Sequence, residues 1–176
     1  MYSIDELPLQ DLQNFWSLLY MDFCRKICTD HPAEGETVIR RAIAETGRRQ
    51  GEWQRQEHEQ MGLNTNLHSF FLDGRGAVCD PRSAAAVHTR NTEVCLWDRY
   101  ICPMANYWAA HSAEAYGRFY CEEYMRAFLS GYTGGKGQFH LSKVLTDKRD
   151  ILCQFAAYFR PANLELEQRR KAFEST

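Results

Sequence analysis

Hydrophobic residues recur every three or four positions near the start of the chain. The repeating positions are Leu12, Phe15, Trp16, Leu19 and Phe23. This spacing predicts an amphipathic helix from Leu7 to Cys28. The helix should end at Asp30-His31-Pro32, because proline disfavours a helical conformation in the residue before it.

A longer and more polar helix is predicted from Glu34 to Met61. Its expected buried stripe consists of Val38, Ile39, Ala42, Ile43 and Trp53. Gly47 and Gly51 lie in its middle, where each glycine disfavours the helix by about 1 kcal/mol relative to alanine. A short third helix is predicted over Leu67 to Leu72. Turn-forming residues then indicate an irregular segment from Gly74 to Ser83.

The pattern changes in the second half of the chain. Ala86 to Tyr100 alternates and is rich in β-forming residues, which predicts one strand or a bent pair. Pro103 then opens a helical run from Met104 to Tyr132. The segments Gln138 to Leu145 and Ile151 to Phe159, joined by a turn at Thr146 to Arg149, predict a β-hairpin.

Helices followed by strand, helix and hairpin are typical of the α+β class, with N-terminal helices packed on an antiparallel sheet. We expect a single domain over residues 1–176. Its parts are a helical N-terminal region (1–73), an α+β region that carries several cysteines (84–161) and a charged tail (162–176).

Composition narrows the class of protein. The chain has 176 residues, of which 44% are hydrophobic and 13% aromatic, and its formal net charge is −2. This content is too hydrophobic for a disordered chain, and the lack of basic excess argues against a nucleic-acid partner. The start of the chain lacks a signal peptide and no apolar run is long enough to span a membrane, so we expect no membrane partner and a cytoplasmic location.

Seven cysteines are the most distinctive part of the composition. Their odd number, without a secretion signal, predicts free thiols rather than a disulfide framework. Free thiols serve as core residues, metal ligands or nucleophiles, and composition leaves that choice open.

Three of these cysteines have positions that favour chemistry. Cys102 precedes Pro103 at the expected start of a helix, where free N–H groups and the helix dipole stabilise a thiolate. Cys121 lies on the following helix. Glu123, a candidate general base, points to another side of that helix, so the two share a pocket only if the pocket wraps around it. Cys153 lies in the last strand on the face of Ile151 and Phe155. For each thiol the alternative is a buried hydrophobic role, and for Glu123 it is a solvated carboxylate.

Histidines add a second alternative. His88 and His140 are predicted on strands and His111 on a helix, and each could join thiolates at a zinc site, because zinc accepts mixed cysteine and histidine ligands. No pair has a spacing typical of a zinc motif.

The C-terminal half is similar to the L-2-amino-thiazoline-4-carboxylic acid hydrolase family. The similar segments are Arg99-Tyr100-Ile101-Cys102-Pro103-Met104-Ala105, Cys121-Glu122-Glu123, and Leu145-Thr146-Asp147-Lys148-Arg149-Asp150-Ile151-Leu152-Cys153-Gln154-Phe155. The same half also resembles small-molecule-binding domains of the vinyl-4-reductase type. A glycine turn usual in the hydrolase family is replaced here by Asp147 to Asp150, which indicates a divergent member.

The resemblance implies hydrolytic opening of a thiazoline-like or other cyclic amidine substrate, in a biosynthetic or catabolic pathway. It implies a catalytic set in which Cys102 is nucleophile or ligand, Cys121 and Cys153 are pocket partners, and Glu123 or His88 carries a proton. The implied substrate-binding residues are Arg90, Arg99, Tyr124 and His140, with one of the arginines holding the carboxylate.

Neither the cofactor nor the assembly is determined by sequence. Zinc or manganese held by the cysteines would activate water in place of a nucleophilic thiol. Self-association is left open. The alternatives to an enzyme are a non-catalytic sensor that binds a small molecule and a structural domain in which Cys102, Cys121 and Cys153 hold zinc.

Overall fold

The computed structural model describes residues 9–72 and 83–162. In these residues there are five helices and four strands: α1 (Leu9–Asp30), α2 (Gly35–Gln60), α3 (Leu67–Leu72), β1 (Ala84–Arg90), β2 (Val94–Ile101), α4 (Pro103–Ala110), α5 (Glu114–Tyr132), β3 (Gln138–Lys143) and β4 (Cys153–Tyr158). The predicted α+β class is confirmed. The irregular segment expected from Gly74 and the charged tail lie outside the described residues, apart from Ser83 and Ala162.

The two long helices are confirmed, but the faces expected to be buried are partly wrong. In α1, the buried residues are Ser17, Met21 and Cys24, whereas Phe15 and Phe23 are exposed. In α2, Ile39 and Ile43 are buried as predicted, while Ala42 is exposed, and Val38 and Trp53 are more than one-third exposed. Periodicity identified the helices, and their neighbours decided which face is covered.

Gly47 and Gly51 do not interrupt α2, which is continuous through both residues. They lie against the backbone of α5. A Cβ atom at position 47 would lie 2.7 Å from the Tyr124 carbonyl oxygen, and one at position 51 would lie 2.5 Å from the Tyr132 nitrogen. Glycine is therefore required there for the close approach of two helices, a benefit that offsets its low helix propensity.

The helical run predicted from Met104 to Tyr132 consists of two helices rather than one. Its break is at Ser112, which has a positive φ of 52°. The Ala113 N–H donates to the Trp108 carbonyl at 2.8 Å, which closes the end of α4. Ala113 is almost fully buried beside Met21 and Trp108. The bend places this small residue in the core, a long-range effect absent from the local pattern.

The strands form one antiparallel sheet in the order β1-β2-β4-β3. The predicted strand or bent pair from Ala86 is a hairpin, β1 with β2, and the C-terminal hairpin pairs β3 with β4. The two hairpins join where β2 pairs with β4. One face of this sheet packs on α3 and α5 and forms the main core: Leu67, Phe70, Cys95, Trp97, Phe128, Leu129, Tyr132, Phe139, Ala157 and Phe159.

Among the described residues, no helix has the length and apolar content needed to cross a membrane.

Candidate functional site

An arginine and a cysteine lie opposite each other at the end of the core face of the sheet. Alternate residues of a strand face the same side, so Arg99 lies on the side of the buried Cys95 and Trp97. The register pairs Arg99 with Cys153 on the neighbouring strand. A basic side chain is thereby brought to the margin of an apolar core.

Cys102 follows β2 and is the N-cap residue of α4. Its backbone is extended, with φ −127° and ψ 112°, and Pro103 occupies the first turn of the helix. The Cys102 carbonyl accepts a hydrogen bond from the Asn106 N–H at 3.0 Å. The predicted position of this thiol at a helix N-terminus is therefore confirmed. Cys102 is only 9% exposed.

The structure brings Cys102, Cys121 and Cys153 together. Cys102 and Cys153 both raise the pKa of the Cys121 thiol electrostatically, and Cys102 acts on Cys153 in the same way. All three thiols are therefore within electrostatic reach of one another. We call this group, with Arg99 and Thr146, the thiol cluster.

Two of the three thiols are held in the protonated state. Burial is the main cause that raises the pKa of Cys153, to about 11, although the Leu145 N–H donates to its sulfur at 3.2 Å and opposes the shift. Burial also raises the pKa of Cys121 strongly, with Thr146 and Arg99 opposing it. At neutral pH these side chains are proton donors rather than nucleophiles.

Arg99 contributes an unpaired donor to the cluster. Its Nε atom is buried and makes no hydrogen bond within the described residues, whereas the buried Thr146 hydroxyl lies against the Cys121 thiol and lowers its pKa by hydrogen bonding. No ion pair joins Arg99 to a described carboxylate either. Buried polar groups in folded proteins almost always have partners. An unpaired guanidinium donor beside these thiols is therefore the arrangement that most favours a ligand in this part of the chain.

The other predicted arginine and acid lie elsewhere. Arg90 is exposed at the end of β1, where it pairs in register with Cys95. Glu123 forms ion pairs with Arg40, at 3.3 Å, and with Arg126. The negative charge of the Glu123 carboxylate is therefore neutralised by one arginine of α2 and one of α5.

His88 lies on the opposite face of the sheet from the thiol cluster. Its Nε2 is 2.9 Å from Asp98 Oδ2, across the β1–β2 pair. Asp98 and Arg99 are adjacent in β2, so their side chains point to opposite faces. The sheet thus separates His88 from the three cysteines.

The contacts of His140 and Tyr124 are with aromatic residues. His140 is exposed on β3, with its ring 6.0 Å from that of Tyr158. Tyr124 is half-buried on α5 and stacks on Tyr120, with ring centroids 4.9 Å apart. Tyr124 also packs against the buried residues Cys24, Ile39 and Ile43 of α1 and α2.

Two further residues of this region, Thr146 and Tyr120, were not among the predicted site residues. Thr146 was assigned only to a turn, and nothing in the local pattern distinguishes it from other turn residues. Tyr120 has a pKa raised mainly by burial, with smaller effects from Tyr124, Cys121 and Cys102, which places its hydroxyl near the cluster. Its position next to Cys121 in the chain was the one available signal.

Metal ligation by the cluster has no geometric support in the described residues. No group of three or more histidine, cysteine, aspartate or glutamate side chains in residues 9–72 and 83–162 is arranged to hold a metal ion. The hypothesis of a zinc-stabilised structural domain is therefore not supported there.

Two open grooves lie between α5 and β3, with volumes of about 420 and about 520 Å³. Both are lined by Glu122, Leu141 and Ser142, and neither includes a cysteine of the cluster. The thiol cluster is the better candidate for a ligand site, because the charged side chains of the grooves already pair with one another: Arg118 with Glu122 and Arg149 with Asp147. A ligand at Arg99 would have to be small, since Cys102, Cys153 and Thr146 are all less than one-tenth exposed.

No protein-family model matches the chain, and no curated protein is significantly similar to it in sequence. The resemblance to thiazoline hydrolases therefore depends on the residues quoted above.

Alkaline pH should destabilise the fold through the buried thiols. Burial raises the pKa of Cys24, Cys95 and Cys153 from 9.0 to about 11. Between pH 9 and pH 11 these thiols are deprotonated in the unfolded chain but still protonated in the folded chain. The free energy of unfolding therefore has its full value below pH 9 and decreases as the pH rises through 11. We expect the thermal midpoint in reducing buffer to be level at neutral pH and to fall above pH 9. Cys153→Ala should lessen the fall, and a midpoint that stays level through pH 11 would contradict the expectation.

Proposed function

We propose that this chain is a hydrolase that opens a small cyclic amidine bearing a carboxylate, with 2-amino-thiazoline-4-carboxylate as the model substrate. The single observation that carries the proposal is the buried, unpaired Arg99 Nε beside three thiols. The resemblance of the segments around Cys102, Cys121 and Cys153 to thiazoline hydrolases supplies the reaction.

Arg99 is suited to bind the carboxylate of the substrate. A guanidinium presents two parallel donors to a carboxylate, and such charge-assisted pairs are roughly twice as strong as neutral hydrogen bonds. A ligand carboxylate would also provide the partner that the buried Nε lacks. The Thr146 hydroxyl, which is 4% exposed and lies against Cys121, would be a second donor for the same ligand once it turns away from that thiol.

The thiols are suited to the two halves of the reaction. The Cys102 sulfur adds to the ring carbon between sulfur and nitrogen, and its proton passes to the ring nitrogen. The ring C–S bond then breaks, and a protonated thiol, Cys121 or Cys153, donates a proton to the leaving sulfur. Water attacks the isothiouronium carbon left on Cys102, returns the proton and releases the Cys102 thiol. The net reaction consumes one water and gives N-carbamoyl-cysteine.

A turnover assay with an arginine pair tests the proposal. We expect the wild-type protein to convert 2-amino-thiazoline-4-carboxylate to N-carbamoyl-cysteine, detected by mass spectrometry. Arg99→Gln should raise KM by about 10- to 100-fold, the value of one or two charge-assisted hydrogen bonds. Arg90→Gln, which removes the exposed arginine of β1, is the matched control and should leave KM unchanged. No product from the wild type, or equal effects of the two substitutions, would refute the assignment.

A binding module without chemistry is the second candidate. It is favoured by the raised pKa values of Cys121 and Cys153, because protonated thiols are poor nucleophiles. Calorimetric titration with the same carboxylate separates the two candidates. Binding that requires Arg99, without product, would indicate a sensor, whereas binding with turnover would indicate the hydrolase.

A further inference from the structure

The first helix carries a second apolar face that the described structure leaves largely uncovered, although Trp16 at its edge contacts the rings of Trp108 and Tyr120. Its residues are Leu12 (52% exposed), Phe15 (57%), Trp16 (38%), Leu19 (40%) and Phe23 (64%). At 3.6 residues per turn they lie within one stripe along α1. We call this set the α1 stripe.

The α1 stripe is distinct from the face that attaches α1 to the domain. That inner face consists of Ser17, Met21 and Cys24, which are 1–3% exposed. Successive residues differ by about 100° around a helix, so the centres of the two faces are more than a third of a turn apart. A helix that only covers a core would need the inner face alone.

The exposed area of the stripe is comparable to the largest apolar patch of a typical monomer, which is often functional. With 150–250 Å² for a whole aromatic side chain, the five exposed fractions leave on the order of 500 Å² of apolar surface. Two such surfaces facing each other would bury about 1,000 Å² of apolar area, the lower limit for a specific protein–protein interface, and a polar rim would add to it.

We propose that the α1 stripe is the interface of a homodimer in which two copies of α1 pack antiparallel. A two-fold axis near Leu19 places this residue against the partner's Leu19 and Phe15 against the partner's Phe23. The positions match because 15 and 23 are equally distant from 19. A two-fold interface needs this self-complementarity, since the same surface is used on both copies.

The charges along α1 favour this orientation. Asp11 lies near the N-terminal end of the stripe and is exposed, whereas Lys26, paired with Asp30 at 2.8 Å, lies near the other end and is 74% exposed. Antiparallel packing brings Asp11 close to the partner's Lys26, and parallel packing would place like charges together. Residues 11–30 contain three acidic and two basic residues, which disfavours an anionic membrane as the occupant.

Mass in solution tests this interface. We expect the full chain, measured by light scattering at micromolar concentrations, to have twice the mass of one chain. Leu19→Glu should convert it to the monomer, because it places two carboxylates next to each other at the two-fold axis. The control Thr29→Glu adds the same charge at an exposed position of the same helix outside the stripe and should leave the dimer intact.

A second variant keeps the test decisive if Leu19→Glu does not fold. Leu19→Cys should form a disulfide-linked dimer under mild oxidation that the wild-type protein does not form. A monomeric wild type, a dimer that survives Leu19→Glu, or binding of the chain to phosphatidylserine vesicles through the stripe would each overturn the proposal.

Discussion

Gly51→Ala is expected to lower the free energy of unfolding by about 3 kcal/mol or more, because the added methyl group has no space. Its Cβ would lie 2.5 Å from the Tyr132 nitrogen and closer still to the Phe128 carbonyl oxygen. These are backbone atoms of a long helix, which cannot move alone. The neighbouring Gly131 approaches the Arg48 carbonyl of α2 in the same way.

Urea unfolding at 25 °C measures this effect, with Arg49→Ala as the control. Arg49 is exposed on the same helix, and a change from arginine to alanine at such a site alters stability by about 0.5 kcal/mol or less. A loss below about 1 kcal/mol for Gly51→Ala would mean that α2 and α5 separate easily, contrary to the packing described above.

Cys102→Ser is expected to lower kcat for the proposed hydrolysis by about 1,000-fold or more, because a serine hydroxyl lacks the acidity and nucleophilicity of a thiol at neutral pH. The substitution changes one atom at the N-cap of α4, where serine is a favourable residue. The fold should therefore be retained, as circular dichroism and the thermal midpoint would show.

The control for this substitution is Cys28→Ser. Cys28 is a half-buried cysteine between α1 and α2, away from the thiol cluster, and its replacement should leave kcat unchanged. Since Arg99→Gln acts on KM and Cys102→Ser on kcat, the two roles are separable. If Cys102→Ser kept full activity while Arg99→Gln still raised KM, the covalent step would be contradicted and water would be the nucleophile.

Local sequence determined most of the secondary structure. The first two helices, observed over Leu9–Asp30 and Gly35–Gln60, were predicted within two residues at each end, because apolar residues three and four apart share a helix face. The hairpin of β3 and β4 and the position of Cys102 ahead of Pro103 followed from alternation and from the conformational limits of proline. In each case the signal lies within a few residues of its effect.

Tertiary structure decided what those elements do. Arg99 lies opposite Cys153 through strand register and acts electrostatically on Cys121 of α5, and neither relationship is encoded near Arg99 in the chain. Ser112 breaks a helix so that Ala113 can enter the core, and Gly51 is required by a helix that begins more than sixty residues later. Such positions are determined by the packing arrangement that buries the most apolar surface, and that arrangement depends on the whole chain. For the same reason the sequence identified the three cysteines and the apolar residues of α1, while only the packed structure brought the thiols together and left the α1 stripe largely uncovered.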